Sequence, residues 1–215
     1  MQAAADAVGF VLAGGESSRM GSDKALVELD GESLIARAIA TLRSAGLPVA
    51  IAGARSNLSA FAPVIEDGGK GPLDGICAAL RSSTARCAVF LSIDTPFIPG
   101  SLVKALLERL RISDAAVAAF SVHGFVETFP FVADRAVLSG LEAELDAGNT
   151  GCRSALRTAA ARLKRPCAVL PVEELVQTGH VQDPAGLPPA FWFRNLNTPE
   201  DLARAKALLG GHRVS

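Results

Sequence analysis

Short runs of apolar and β-branched residues alternate along most of this chain with stretches whose apolar residues recur at helical spacing. Residues 8–13 predict a first buried strand, and residues 33–45 predict the helix that follows it, stopped at Gly46. The most apolar run, 87–93, predicts a central strand. Strands that alternate with helices usually pair in parallel, because each crossover helix returns the chain to the end of the sheet at which the previous strand began. The pattern therefore predicts an α/β fold around a mainly parallel sheet.

The same patterns place the remaining elements. Further strands are predicted at 49–52, 63–66, 115–121, 125–132, 167–172 and 191–193, and helices at 73–81, 101–110, 134–146, 153–163 and 199–209. Three prolines and a lack of periodicity predict a surface loop between Gln177 and Pro189. No repeat, linker or low-complexity stretch divides the 215 residues. We therefore expect a single domain, residues 1–215, whose part after about residue 120 faces the substrate.

Composition excludes several classes of protein. The chain has 21 Lys and Arg against 22 Asp and Glu, a net charge of −1, so it has no positive surplus for a polynucleotide backbone. No apolar run approaches the roughly 18 residues that cross a bilayer, and no basic segment opens the chain, so we expect no membrane span and a cytoplasmic location. The 4 cysteines form no CxxC pair and the 3 histidines no HExxH motif. Neither a disulfide framework nor a zinc cluster is expected.

A glycine-rich segment, LAGGESSRMGSDK from Leu12 to Lys24, follows the first predicted strand. Glycines let the backbone approach a ligand closely, and free N–H groups there can donate to phosphate oxygens. Arg19 and Lys24 would offset the charge of a triphosphate. The segment matches neither a Walker loop nor the GxGxxG pattern. We interpret it as a phosphate-binding loop; the alternative is a plain glycine-rich turn with solvated charges.

Two carboxylates follow predicted parallel strands. Asp94 ends the most apolar strand in SIDTPFIP, and Asp67 ends another strand in VIED, before the turn GGKGPLDG. Ligands of α/β proteins bind at the carboxyl edge of the sheet, where an Asp can offer hard oxygen to Mg²⁺ that bridges nucleotide phosphates. For Asp94 the alternative role is to cap the following turn. We hypothesise that both carboxylates face one ligand site.

A pair of amides precedes the last predicted helix. In RNLNTPEDL, Asn195 and Asn197 alternate along a predicted apolar strand, and Pro199 starts the helix. Two amides on one face could hold a ligand or a metal-bound water. The alternative is that Asn197 or Thr198 caps the helix. The residues alone allow both roles.

Four blocks of the sequence, taken in order, resemble one known family. LAGGxSxRMGxDK, VIED followed by GPLxG, DTPFIP and NLNTPEDL run from residue 11 to about 206 and resemble the molybdenum cofactor guanylyltransferases of the MobA family. Each block is weak alone, but the set is specific for this nucleotidyltransferase superfamily. The resemblance implies a three-layer αβα, Rossmann-like nucleotidyltransferase fold. It also implies that the chain transfers GMP from GTP to molybdopterin and releases pyrophosphate, with a nucleotide-binding part at about 8–120 and a substrate-facing part at about 121–215.

The resemblance further implies roles for individual residues. Nucleotide contacts are implied for Leu12, Ala13, Gly14, Gly15, Arg19, Lys24, Asp67 and Asp94. Of these, Arg19, Lys24 and Asp94 have the catalytic role, and Asp94 is the ligand of Mg²⁺. Contacts near the reaction centre are implied for Gly71, Pro72, Leu73, Asn195 and Asn197. Two departures from the family are Ala52, where members often have Asn, and a long segment 151–190 that leaves the pterin contacts unassigned.

Other functions share parts of this pattern. A molybdopterin cytidylyltransferase or a sugar-phosphate nucleotidyltransferase would have the same fold, but Gly14 removes a Cβ beside the base and so favours guanine. A non-catalytic carrier of nucleotide or molybdopterin is disfavoured, because the chain retains both Lys24 and Asp94. The resemblance implies GTP and molybdopterin as substrates. It also implies transient contact with proteins that deliver molybdopterin and with molybdoenzymes.

Overall fold

The run predicted as the central strand lies at the middle of the observed sheet and is buried along its whole length. The structure is a computed structural model that describes residues 6–13, 23–53, 55–183 and 186–212. The strands in these residues are β1 Ala7–Leu12, β2 Glu28–Leu29, β3 Glu32–Ser33, β4 Val49–Ala52, β5 Val64–Ile65, β6 Cys87–Ser92, β7 Val117–Val122, β8 Phe125–Asp134 and β9 Cys167–Pro171. The α-helices are α1 Leu34–Ser44, α2 Pro72–Ser82, α3 Gly100–Ile112, α4 Leu138–Asp146, α5 Cys152–Arg162, α6 Val172–Gln177, α7 Pro189–Trp192 and α8 Pro199–His212.

Seven of the strands form one sheet in the order β5-β4-β1-β6-β8-β7-β9. β1 pairs in parallel with β4 and with β6, β4 pairs in parallel with β5, and β7 pairs in parallel with β9. Only β8 runs antiparallel to its neighbours β6 and β7 within the described residues. The prediction of an α/β fold with a mainly parallel sheet is confirmed. β2 and β3 form a separate antiparallel pair that the sequence patterns did not predict.

Helices cover both faces of the sheet. Apolar side chains of α1, α3 and α8 pack on one face, where Leu42 and Leu106 are fully buried. Those of α2, α4 and α5 pack on the other face against three stacked rings. The rings of Phe10, Phe90 and Phe131 cross β1, β6 and β8, with centroids 5.5 and 4.9 Å apart. The three-layer αβα arrangement is therefore confirmed, and the core is split by the sheet into two clusters.

Near the carboxyl end, the structure departs from the sequence prediction at two elements. Residues 191–193 are not a strand, because Pro189 starts the short helix α7 and the buried Trp192 indole donates to the Leu187 carbonyl at 2.9 Å. Three consecutive apolar residues fit a strand pattern, but a proline at the first helical position favours a helix. The helix α6 was not predicted, since its six residues are too few to show a period. No helix in the described parts of the chain is long and apolar enough to cross a membrane.

Close packing of α4 on α5 should make the molecule sensitive to one added methyl group. A Cβ built at Gly140 would lie 2.7 Å from the Cβ of Ala159, so Gly140→Ala must push the two helices apart. We expect a loss of about 1–3 kcal/mol in the free energy of unfolding, measured with urea and circular dichroism.

Gly210→Ala on α8 is the matched control. A Cβ there would have no neighbour within 4 Å, so the variant should be unchanged or more stable by up to about 1 kcal/mol. Equal unfolding midpoints for the two variants would contradict the close approach of α4 and α5.

Candidate functional site

The carboxyl ends of β1 and β6 lie side by side, because the two strands pair in parallel with Leu12 opposite Ser92. Leu12 and Ala13 are buried at the end of β1, and Asp94 follows β6 by two residues. Gly14, Gly15 and Arg19 lie outside the described residues, and their roles stay predictions. The structure thus brings the start of the glycine-rich segment to the same sheet edge as the carboxylate predicted to hold metal.

Three predicted residues meet at this edge. The Lys24 ammonium lies 2.7 Å from Oδ1 of Asp94 and donates to Oδ1 of Asn197 at 2.8 Å. The Lys24 side chain is only 11% exposed, whereas that of Asp94 is 39% exposed. A buried ammonium requires such partners, since an unpaired charge in the interior costs several kcal/mol. The sequence separately singled out all three residues, and the structure joins them in one cluster, which we call the Lys24 cluster.

The turn after β6 fixes the position of Asp94. The Ser92 hydroxyl accepts a hydrogen bond from the Asp94 N–H at 3.2 Å, and the Thr95 hydroxyl donates to the Ser92 carbonyl at 3.3 Å. Ser92 and Thr95 are both buried. The Asp94 carbonyl in turn accepts from the Leu196 N–H at 2.8 Å. Asp94 therefore shapes a turn through its backbone while its carboxylate stays available to Lys24 and to the cleft beside it.

The residues that position Lys24 were not predicted from the sequence. Asp23 caps a short 3-10 helix, residues 24–26, by accepting from the Ala25 N–H at 3.1 Å. Its carboxylate also accepts from Arg55 and, at 2.8 Å, from Asn57. Burial opposes the charge of Asp23, but these hydrogen bonds outweigh it and leave the pKa of Asp23 below its usual value. The Asp at the position before Lys24 was a visible signal, but its partners follow β4 and could not be identified from local sequence.

Asn195 and Asn197 do not lie on a strand as predicted. Residues 194–198 form an irregular segment between α7 and α8. Thr198 accepts from the Asp201 N–H at 3.1 Å, and the Asp201 carboxylate accepts from the N–H groups of Asn197 and Thr198 at 3.1 and 3.0 Å. This reciprocal capping box leaves the Asn197 side chain free of capping. The amide instead contacts Lys24, while Asn195 lines the neighbouring cleft.

The other predicted carboxylate, Asp67, lies near the end of β1 on its opposite side. Its Oδ1 accepts from the Gly69 N–H at 3.1 Å. A Cβ built on Gly75 would lie 3.0 Å from Oδ2 of Asp67 and 3.6 Å from Cδ2 of Leu12, so these three residues meet. Small size at Gly75 therefore leaves room for Asp67 beside β1.

The predicted Gly71-Pro72-Leu73 turn opens α2. Gly71 has a positive φ of 97°, which favours glycine, and Pro72 occupies the first helical position. Pro72 lines the cleft, but Leu73 is fully buried in the core. The turn thus presents Pro72 to the site and uses Leu73 to anchor the helix. Ala52, where an Asn was expected, is 1% exposed.

A polar cleft of about 620 Å³ opens beside the Lys24 cluster. Asp94, Thr95 and Asn195 line one side, and Glu127 and Arg153 line another. Its size is within the range of small-molecule sites. Cys152 also borders the cleft, but burial raises the pKa of its thiol to about 11, so a thiolate nucleophile is not expected there at neutral pH.

The described residues contain no group of three or more His, Cys, Asp or Glu side chains that could enclose a metal ion. Mg²⁺ at nucleotide sites is typically held by one or two carboxylates together with phosphate oxygens and waters. A single partly exposed carboxylate at the mouth of a cleft therefore fits this metal when a nucleotide supplies the other oxygens.

A mainly parallel sheet whose carboxyl edge joins a lysine, a carboxylate and a polar cleft is typical of α/β nucleotide-binding proteins. The model of the MobA-like NTP transferase domain matches residues 9–165 of the chain. The chain belongs to this family, and the resemblance predicted from its motifs is confirmed.

Similar proteins cover almost the whole chain. A protein of Pelotomaculum thermopropionicum named probable molybdenum cofactor guanylyltransferase is 31% identical, over 97% of this chain and 96% of its own length. A molybdenum cofactor guanylyltransferase of Cereibacter sphaeroides is 36% identical, over 94% and 96%. The solved structure of molybdopterin-guanine dinucleotide biosynthesis protein A from Archaeoglobus fulgidus has the same fold, with a TM-score of 0.73 at 24% identity over 94% of this chain and 98% of that one.

The capping box before α8 predicts a pH-dependent contribution to stability. Hydrogen bonds from the Asn197 and Thr198 segment hold the pKa of Asp201 below its usual value of 3.8. A depressed folded-state pKa stabilises the protein above that usual value, and the stabilisation is lost as the pH falls through the folded-state pKa. We expect Asp201→Ala to lower Tm at pH 7 and the difference from wild type to shrink below pH 3.8.

Glu200→Ala is the control for this measurement. Glu200 also lies in the first turn of α8, but its carboxylate accepts no hydrogen bond from the described residues. The effect of Glu200→Ala on Tm at pH 7 should be smaller than that of Asp201→Ala. A Tm difference for Asp201→Ala that stays constant from pH 7 to pH 3 would exclude the proposed charge dependence.

Proposed function

We propose that this protein transfers GMP from GTP to molybdopterin, forming molybdopterin guanine dinucleotide and pyrophosphate. The observation that carries the proposal is the Lys24 cluster beside a cleft at the carboxyl edge of β1 and β6. Identities of 31% and 36% to guanylyltransferases over nearly the full chain support the choice of nucleotide and acceptor. The fold alone would fit other nucleotidyltransferases.

In this proposal Lys24 binds the phosphates of GTP. An ammonium suits phosphate as a point charge, and the triphosphate would compete with Asp94 for it. Negative charge grows on the departing pyrophosphate as its bond to the α-phosphorus breaks, so Lys24 would stabilise the transition state more than the ground state. Asn197 keeps the ammonium at the sheet edge while it exchanges partners. We also assign Arg19 to the phosphates on the basis of the family motif.

Asp94 is the residue that would hold Mg²⁺. When bound, the metal would neutralise phosphate charge and orient the reacting groups. The acceptor phosphate is already ionised near neutral pH, so its oxygen can attack the α-phosphorus without a strong general base. The protein's contribution is then to position and to neutralise charge, which fits a site that has a lysine, a carboxylate and amides.

The proposed function also implies a location in the cell, protein contacts and roles for further residues of the site. An enzyme that makes this cofactor would work in the cytoplasm and would transiently contact proteins that supply molybdopterin and molybdoenzymes that receive the product. We include Asp67, beside Leu12, in the nucleotide site and Pro72 and Asn195 near the reaction centre. Gly71 would shape this region through its backbone turn before α2, and Leu73 would hold α2 in place by packing in the core.

The function is tested by incubating the protein with molybdopterin, Mg²⁺ and each of GTP, CTP, ATP and UTP. Pyrophosphate release should be greatest with GTP, and mass spectrometry should identify the guanine dinucleotide. A preference for CTP would replace guanine by cytosine as the transferred base. Binding of GTP and molybdopterin without pyrophosphate release would indicate a carrier.

Two substitutions separate the roles of the ion pair. Asp94→Asn should abolish transfer, because the amide loses the charge that binds Mg²⁺. The amide keeps the size of the side chain and an oxygen that can accept from Lys24, so the variant should fold, at some cost in stability. Lys24→Met should weaken the binding of GTP much more than the binding of guanosine, and it should slow single-turnover transfer by about 100- to 1,000-fold.

Lys104→Met is the matched control, since Lys104 is exposed on α3. Its GTP affinity, measured by calorimetry, and its transfer rate should equal those of wild type. Wild-type turnover in Asp94→Asn would remove the metal role from Asp94. Unchanged GTP affinity together with an unchanged single-turnover rate in Lys24→Met would remove the phosphate role from Lys24.

A further inference from the structure

The cleft beside the Lys24 cluster continues into a second cavity on the face of the sheet covered by α5. This second cavity, of about 350 Å³, is mostly apolar and is lined by Val117, Phe131 and Val169, among others. Glu127, Thr128, Arg153 and Ser154 line both cavities. A ligand seated at Asp94 can therefore extend past these four residues onto an apolar wall.

Glu127 is a carboxylate at the place where the two cavities meet. It is half-buried near the start of β8, and its carboxylate accepts no hydrogen bond from any described residue. Burial raises the pKa of Glu127, and the charge of Arg153 opposes this effect. A half-buried carboxylate without a donor costs free energy unless a ligand supplies one.

The sheet order places Glu127 on the side of Asp94 away from Leu12. β6 lies between β1 and β8, so Leu12 ends one neighbouring strand and Glu127 begins the other. Since β8 runs antiparallel with Phe131 opposite Phe90, the part of β8 before Phe131 extends toward the carboxyl end of β6, where Asp94 lies. The two flanks of Asp94 can thus hold two different substrates.

We propose that the flank of Asp94 formed by the start of β8 is the acceptor subsite, in which Glu127 binds the amino-pyrimidinone edge of the pterin ring. The proposal rests on the function proposed above. Pterin presents two adjacent N–H donors on this edge, and one carboxylate can accept both in a charge-assisted pair. The rest of the fused ring system would lie against the apolar wall.

Arg153 complements this arrangement. It lies in the first turn of α5, and its guanidinium donates to the Val126 carbonyl at 3.1 Å, which fixes it beside β8. The acceptor carries a phosphate, so a cation near Glu127 offsets the repulsion between that phosphate and the carboxylate. Because Arg153 also holds the strand, its replacement could disturb β8, and Glu127 is the better residue to change.

Guanine has the same pair of donors as pterin, so the experiment must separate the two. We would measure KM for molybdopterin and for GTP in wild type, Glu127→Gln and the control Glu108→Gln, an exposed residue of α3. Gln keeps the size of the side chain but places an N–H₂ group against one ligand donor. We expect the molybdopterin KM of Glu127→Gln to rise about 10- to 100-fold, with the GTP KM and the circular dichroism spectrum unchanged.

A binding measurement that needs no turnover completes the test. Fluorescence titration with 6-hydroxymethylpterin should show tighter binding than with the corresponding lumazine, in which a carbonyl replaces the 2-amino group, and Glu127→Gln should lose this preference. An unchanged molybdopterin KM, a rise in the GTP KM instead, or no pterin binding by wild type would each overturn the subsite. If wild type makes no guanine dinucleotide but binds pterin through Glu127, the proposed reaction is wrong and the subsite stands.

Discussion

The buried ammonium of Lys24 is the interaction on which the site depends. Its side chain is 11% exposed, and its charge is met by Asp94 at 2.7 Å and by the Asn197 amide at 2.8 Å. Desolvation of a buried ammonium costs several kcal/mol, so loss of either partner would leave a costly charge in the interior. Asn197 is 173 residues away along the chain. The cluster can therefore form only when the end of β6 and the segment before α8 have assembled, and folding and site formation become one event.

The same ion pair prepares the protein for its proposed reaction. Lys24 and Asp94 neutralise each other in the structure. In the proposed reaction, phosphate would become the partner of the ammonium and Mg²⁺ the partner of the carboxylate. Exchange of partners conserves the number of charge contacts, so the cost of reorganisation is small. Asp23, with Arg55 and Asn57, keeps the backbone of Lys24 in place during this exchange. The charges of Lys24 and Asp94 thus stabilise the fold before substrates bind, and in the proposed reaction the same charges would then bind substrate and metal.

Local patterns in the sequence predicted the mainly parallel sheet, the central strand and the residues of the Lys24 cluster, because the carboxyl ends of parallel strands lie together whatever the strand order. The three layers were implied by the family resemblance. Local patterns did not predict the reversed direction of β8. A signal for it was present: His123 and Gly124 separate the two runs, and both have positive φ, 50° and 81°, as a two-residue hairpin requires. The partners of Asp23 and the place of Glu127 between the two cavities depend on contacts between distant segments, which no local period encodes.

The reversal of β8 also explains how one sheet edge can serve two substrates. A parallel strand in the place of β8 would end beside β6 and would present another carboxyl end, as β1 does on the other side. An antiparallel strand instead presents its beginning there, so Glu127 and Thr128 enter the cleft from β8 while Arg153 and Ser154 enter from the first turn of α5. In-line transfer needs the nucleophile and the leaving group on opposite sides of the phosphorus. In the proposed reaction, Leu12 and Asp67 would place the nucleotide on one flank of Asp94 and Glu127 would place the acceptor on the other, so the acceptor phosphate would approach the α-phosphorus from the β8 side.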